Sequence, residues 1–129
     1  MNPFIGQCLL GKTLSKAEHV KRYEGTTDEI LFTLSTGEQY RFHHDQDCCE
    51  QVCIEDICGD LQDLVGSPLL QAEEVTSNEN PSDIVKTCQD SFTWTFYRFA
   101  TAKGFVVIRW YGESNGYYSE SVTFSKVRD

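Results

Sequence analysis

The sequence predicts an α+β domain, a twisted antiparallel sheet with one main acidic helix packed across it. Apolar and polar residues alternate with a period of two before His44 and again after Phe92, as half-buried strands require. Between these stretches, Cys49, Val52, Cys53, Ile57, Leu61 and Leu64 recur at three- and four-residue spacing, the stripe of an amphipathic helix. The charge is segregated on that middle stretch. Between Arg41 and Lys86 there is no Lys or Arg, yet there are eleven acids; the rest of the chain, with nine acids and eleven bases, nets +2.

The elements follow in order. A first strand is predicted from about Lys12 to Tyr23. Ile30, Phe32 and Leu34 then alternate with polar neighbours, as do Tyr40, Phe42 and His44, and Ser35-Thr36-Gly37 between them supplies turn chemistry, so the pair reads as a β-hairpin. Asp47 stands three residues before Glu50, a capping-box-like start for a helix from Cys48. Gly59 kinks or divides that helix, and Gly66-Ser67-Pro68 ends it. Leu69 to Thr76 returns as a strand, and the polar stretch from Ser77 to Asp90 is a long loop. Phe92 to Thr101, Phe105 to Tyr111 and Tyr117 to Lys126 close the chain as an antiparallel meander.

At 129 residues and 40% hydrophobic content the chain suits one domain, 1–129, with one core. Met1 to Leu10 lacks the basic start and unbroken apolar run of a signal peptide, and no apolar run has membrane-spanning length, so the expected compartment is the cytosol. In that compartment Cys8, Cys48, Cys49, Cys53, Cys58 and Cys88 are expected as free thiols. A net charge of −9 concentrated in one stretch repels phosphate backbones and argues against direct nucleic-acid binding. On charge alone, the plainer reading of the acids is a solvated face.

Four strings, His44-Asp45-Gln46-Asp47-Cys48-Cys49-Glu50, Ile54 to Leu61, Thr93-Trp94-Thr95-Phe96-Tyr97 and Arg109 to Glu120, resemble a domain-of-unknown-function family of small proteins encoded by bacteriophages and bacteria. The resemblance spans roughly Leu10 to Val122. It implies a small accessory protein that acts on a host molecule by binding, in the host cytoplasm if phage-encoded, with counter-defence as the context. It supplies no site residues.

His43, His44, Asp45, Asp47, Cys48, Cys49 and Cys53 place metal-ligand types within eleven residues. The CxxC and HxxxH spacings of zinc sites are absent, however, and a metal-free core is the better reading. Cys48 beside His43 or His44 is the one candidate for a catalytic thiolate, but the surrounding acids would raise its pKa, so the balance is against an enzyme and no cofactor is expected. In the last strands, Trp94 and Arg98 share a face, as do Arg109 and Tyr111. With Asn115 and Tyr117 on a glycine-flanked turn they form a candidate pocket for a small anionic, nucleotide-like ligand. Phe96 and Trp110 are assigned to the core. The alternative is an interaction surface of Glu50, Glu55, Asp56, Asp60 and Asp63 that imitates nucleic-acid phosphates and binds a host protein. A homo-oligomer is a base-rate expectation.

Overall fold

The computed structural model describes residues 5–22, 27–45, 50–80, 91–116 and 118–128. It is almost entirely β. A short helix α1, Ile5–Leu9, is followed by β1 (Leu14–Arg22), β2 (Thr27–Leu34), β3 (Gln39–His43), β4 (Gln51–Cys58), a single 3-10 turn (Leu61–Leu64), β5 (Gln71–Ser77), β6 (Ser91–Thr101), β7 (Gly104–Ser114) and β8 (Thr123–Arg128). The strands form two four-stranded antiparallel sheets, ordered β1-β2-β3-β8 and β4-β7-β6-β5.

The first hairpin forms as its pattern dictates. Ile30 pairs with Phe42 and Phe32 with Tyr40, which turns all four to the inner face. Phe42 is the hub of the core. Its ring meets Phe32 at 5.3 Å and Phe124 at 4.9 Å in its own sheet, and Tyr97 at 4.7 Å and Phe99 at 5.8 Å in the other. Mostly tilted and edge-on, these rings bury large apolar areas in favoured geometries. Tyr97 directs its hydroxyl to Glu74 at 2.5 Å; burial, and then this carboxylate acceptor, push the phenol well above its ordinary range.

The predicted acidic helix is replaced by a strand. Among the described residues no helix exceeds the five residues of α1; of the helical stripe, Val52, Cys53 and Ile57 lie on β4 and Leu61 and Leu64 on the 3-10 turn. The reason is a bulge. Ile54 pairs with Trp110 and Asp56 with the very next residue, Arg109, so Glu55 is an extra residue in the ladder. Val52 and Ile54 face the core, and after the bulge Ile57 does so too, opposite Ile108. Steps of two and then three along a bulged strand mimic helical spacing. Gly59 closes the strand at a φ of +100°, a conformation that favours glycine, and a Cβ there would lie 2.5 Å from the Phe105 carbonyl oxygen. The proposed cap at Asp47 falls outside the described residues. Glu50 stands outside any described helix; it is buried and meets His44 Nε2 at 2.7 Å.

The closing meander is also corrected. β6 and β7 pair along their whole length, but β8 crosses to the other sheet and pairs with β3, Phe42 opposite Phe124. This lets Val122 and Phe124 close the core beneath the first hairpin. The predicted return strand forms as β5. Of the expected long loop, Ser77 ends β5 and residues 81–90 lie outside the described residues.

Where β4 passes over the first sheet, one carboxylate links the two. Asp28, on the inner face of β2 with a side chain only 5% exposed, accepts the Ile54 backbone N–H at 2.8 Å on one oxygen. On the other it meets His19 Nε2 at 2.7 Å and Lys21 Nζ at 3.0 Å. Burial alone would raise its pKa; the Ile54 amide, His19 and Lys21 together outweigh burial and hold the carboxyl below its ordinary value of 3.8. A carboxyl with a depressed folded pKa contributes stability that is present above that ordinary value and lost as pH falls through the folded one. Asp28→Asn is therefore expected to cost about 2–3 kcal/mol at neutral pH. In urea titrations the gap between variant and wild type should close as pH drops below 3.8.

Candidate functional site

The outer face of the second sheet, turned away from the core, gathers most of the residues that sequence reasoning singled out. Trp94 stands opposite Tyr111, Phe96 opposite Arg109, and Arg98 opposite Val107. On the flanking edge strands the same face continues through Val75 and Glu73 on β5, and through Cys53 and Asp56 on β4. Trp94, Arg98, Arg109 and Tyr111 do share one surface, as expected, but they are not equally available.

Trp94 is fully buried although it faces away from the main core. Its indole N–H donates to Asn80 Oδ1 at 3.0 Å, and its ring lies 4.6 Å from Tyr111 and 6.5 Å from Phe96. Phe92 stacks on Tyr111 at 6.4 Å, giving a second small aromatic cluster. Phe96 belongs to this outer cluster and is only partly buried, in contrast to its assignment to the core; Trp110 does lie in the core.

Arg109 is already engaged. Its guanidinium lies 5.4 Å from the Trp94 ring centre, and Nε and one terminal nitrogen meet the same Glu55 oxygen at 2.7 and 2.5 Å. Glu55 is the bulge residue, so the irregularity that disguises β4 as a helix also delivers the counter-ion. Arg98 differs. Among the described residues no hydrogen bond or ion pair reaches it, although Glu73 stands opposite on β5. Around it lie Phe96, Val107 and two apolar side chains left open to solvent, Phe105 at 50% and Val75 at 38%. A cation set among apolar side chains on an open face is the arrangement that a carboxylate or phosphate can exploit.

The turn after β7 is held from within. Glu120 accepts the Thr93 hydroxyl at 2.8 Å and the Ser114 hydroxyl at 2.6 Å. Burial pushes its carboxyl up, but the hydroxyls of Ser114, Ser91 and Thr93 together hold it below the ordinary range. A Cβ on Gly112 would lie 2.5 Å from the Glu120 carbonyl oxygen, so the close approach permitted by this glycine is taken by the chain itself. Asn115 is exposed on the turn, and Tyr117 lies outside the described residues.

With no helix to carry them, the five acids of the alternative surface are scattered. Glu50 is buried, Glu55 holds Arg109, Asp56 accepts from the Cys58 thiol at 3.3 Å, and Asp60 caps the 3-10 turn by accepting the Gln62 N–H at 2.9 Å. Asp63 lies within that turn, its carbonyl accepting the Thr101 hydroxyl at 2.5 Å. The two histidines diverge as the alternation requires: His43 meets Asp45 at 3.0 Å, while His44 lies between Glu50 and the Ser121 carbonyl. Among the described residues no three His, Cys, Asp or Glu side chains are grouped to hold a metal ion. Cys48 and Cys49 fall outside them.

The profile of a domain of unknown function, DUF7448, matches residues 7–124. The chain belongs to the DUF7448 family. No curated protein and no solved structure matches it. Among the described residues of this DUF7448 domain no helix is long and apolar enough to cross a membrane.

Asp28 and Phe105 were not singled out from the sequence, although signals for both were present. The alternation that turns Ile30 and Phe32 inward also turns Asp28 inward, and the alternation through Arg109 and Tyr111 reaches back to Phe105. The contrast between the two sites on this face is testable. Trp94→Ala should destabilise the DUF7448 domain by about 3–5 kcal/mol, while Arg98→Ala should stay within about 0.5 kcal/mol of wild type in the same denaturant titration.

Proposed function

We infer that this DUF7448 domain is a binding module without enzymatic turnover, and that it takes a small anionic, nucleotide-like ligand on the outer face of its second sheet. The observation that carries this reading is Arg98, a guanidinium without a partner among the described residues, set among Phe96, Val107 and half-exposed Phe105. Arg98 would receive the phosphate or carboxylate, and a planar group would lie against the neighbouring aromatic and aliphatic side chains. Arg109, tied to Glu55 and lying over Trp94, would serve as a wall of the site.

A host molecule as the ligand, and counter-defence as the purpose, extend this proposal from the sequence resemblance to a family of small proteins that phages and bacteria encode. A cytosolic setting belongs to the same proposal and fits Cys8, Cys53 and Cys58, which the structure does not join in disulfides.

Thermal denaturation against mononucleotides, cyclic nucleotides and inorganic pyrophosphate at low salt tests the reading, because a ligand specific for the folded state raises the melting temperature by mass action. At least one phosphate-bearing compound should raise it, and Arg98→Ala should weaken that compound's binding by about tenfold or more, the value of one charge-assisted hydrogen bond. Arg109→Ala should do less. Binding unchanged in Arg98→Ala, or no shift with any anion, would overturn the assignment.

A further inference from the structure

A different part of the molecule carries an open strand edge. The open edge of β1 runs beside a solvent-open groove of about 650 Å³, bounded on one side by Ala17, Glu18 and His19 and on the other by Ile57, Asp60 and Gln62. The Gln62 side-chain amide donates to the Ala17 carbonyl at 3.1 Å, so the main-chain groups of Ala17 point away from β2 and towards this groove. In a regular strand successive residues alternate direction. The irregularity of β1 lies upstream, between Leu14 and Lys16, so the N–H and C=O of His19 and Lys21 point the same way as those of Ala17. Among the described residues nothing pairs with them.

Upstream, the chain closes the same edge itself. Thr13 bridges Pro68, Leu14 bridges Val65, and the Gly66 N–H donates to the Leu14 carbonyl at 2.9 Å. The protein thus covers its edge as far as Ala17 and then leaves a groove where the next stretch of added strand would run. Unpaired edges are usually blocked or used.

We propose that this edge takes an extended, basic segment of a partner protein as an added strand, paired through the main chain of His19 and Lys21. Ala17 and Ile57 offer apolar contact to one set of its alternating side chains. Glu18 and Asp60 offer carboxylates to the other, while His19 in the groove and Lys21 further along the edge are held by Asp28. The choice of a basic partner over a second copy rests on charge: the chain carries −9, and two such molecules repel.

Amide hydrogen exchange with and without an acetylated peptide of alternating valine and lysine tests this. The peptide should slow exchange at His19 and Lys21 by at least about tenfold while leaving Val20, whose N–H points to β2, unchanged. The double variant Glu18→Gln, Asp60→Asn keeps a capping side chain on the 3-10 turn and should weaken peptide binding about tenfold. Replacing the peptide with one N-methylated at alternate amides should abolish protection. The proposal is overturned if the peptide fails to protect His19 and Lys21, if removing the two charges has no effect, or if protection appears on raising protein concentration alone, which would mean self-pairing.

Discussion

One buried carboxylate decides how the two sheets meet. Asp28 brings a negative charge to the inner face of β2, where it would be costly alone, and β4 supplies the Ile54 amide that makes it tolerable. His19 and Lys21 complete the shell from β1. A single side chain therefore ties three strands from two sheets, at the point where β4 has lost its regular ladder.

The consequences run outward from that point. β4 bulges just after Ile54, and the extra residue, Glu55, reaches across the outer face to Arg109. Arg109 settles over Trp94, which is sealed by Tyr111 and Asn80. Once that arginine is neutralised, Arg98 is the cation of the face that remains without a partner among the described residues. The clamp on the inside thus lies beside the bulge whose extra residue pairs one of two outer arginines and leaves the other without a partner among the described residues.

Much of the sheet structure was legible in the sequence because period-two alternation with turn chemistry has few other solutions. The β2–β3 hairpin and the β6–β7 pair are the clearest cases. β4 was not legible as a strand, since a bulge converts its period of two into Val52, Ile54, Ile57, and flanking acids look like the polar side of a helix. The placement of β8 was not legible either, because pairing with β3 is a long-range choice that local pattern does not encode. For the site, alternation correctly put Trp94, Arg98, Arg109 and Tyr111 on one surface. It could not say which arginine had a partner, because that depends on the bulge. The partner of Arg109 is Glu55, an acid from the middle of the chain.

The account rests on Asp28 holding Ile54, and that bond can be watched directly. In an NMR pH titration with carboxyl-carbon and amide-nitrogen detection, the Asp28 carboxyl and the Ile54 amide should change together, with one shared midpoint below 3.8. An Asp28 carboxyl that titrates at its ordinary value, with the Ile54 amide unmoved, would contradict the clamp and the order of consequences drawn from it.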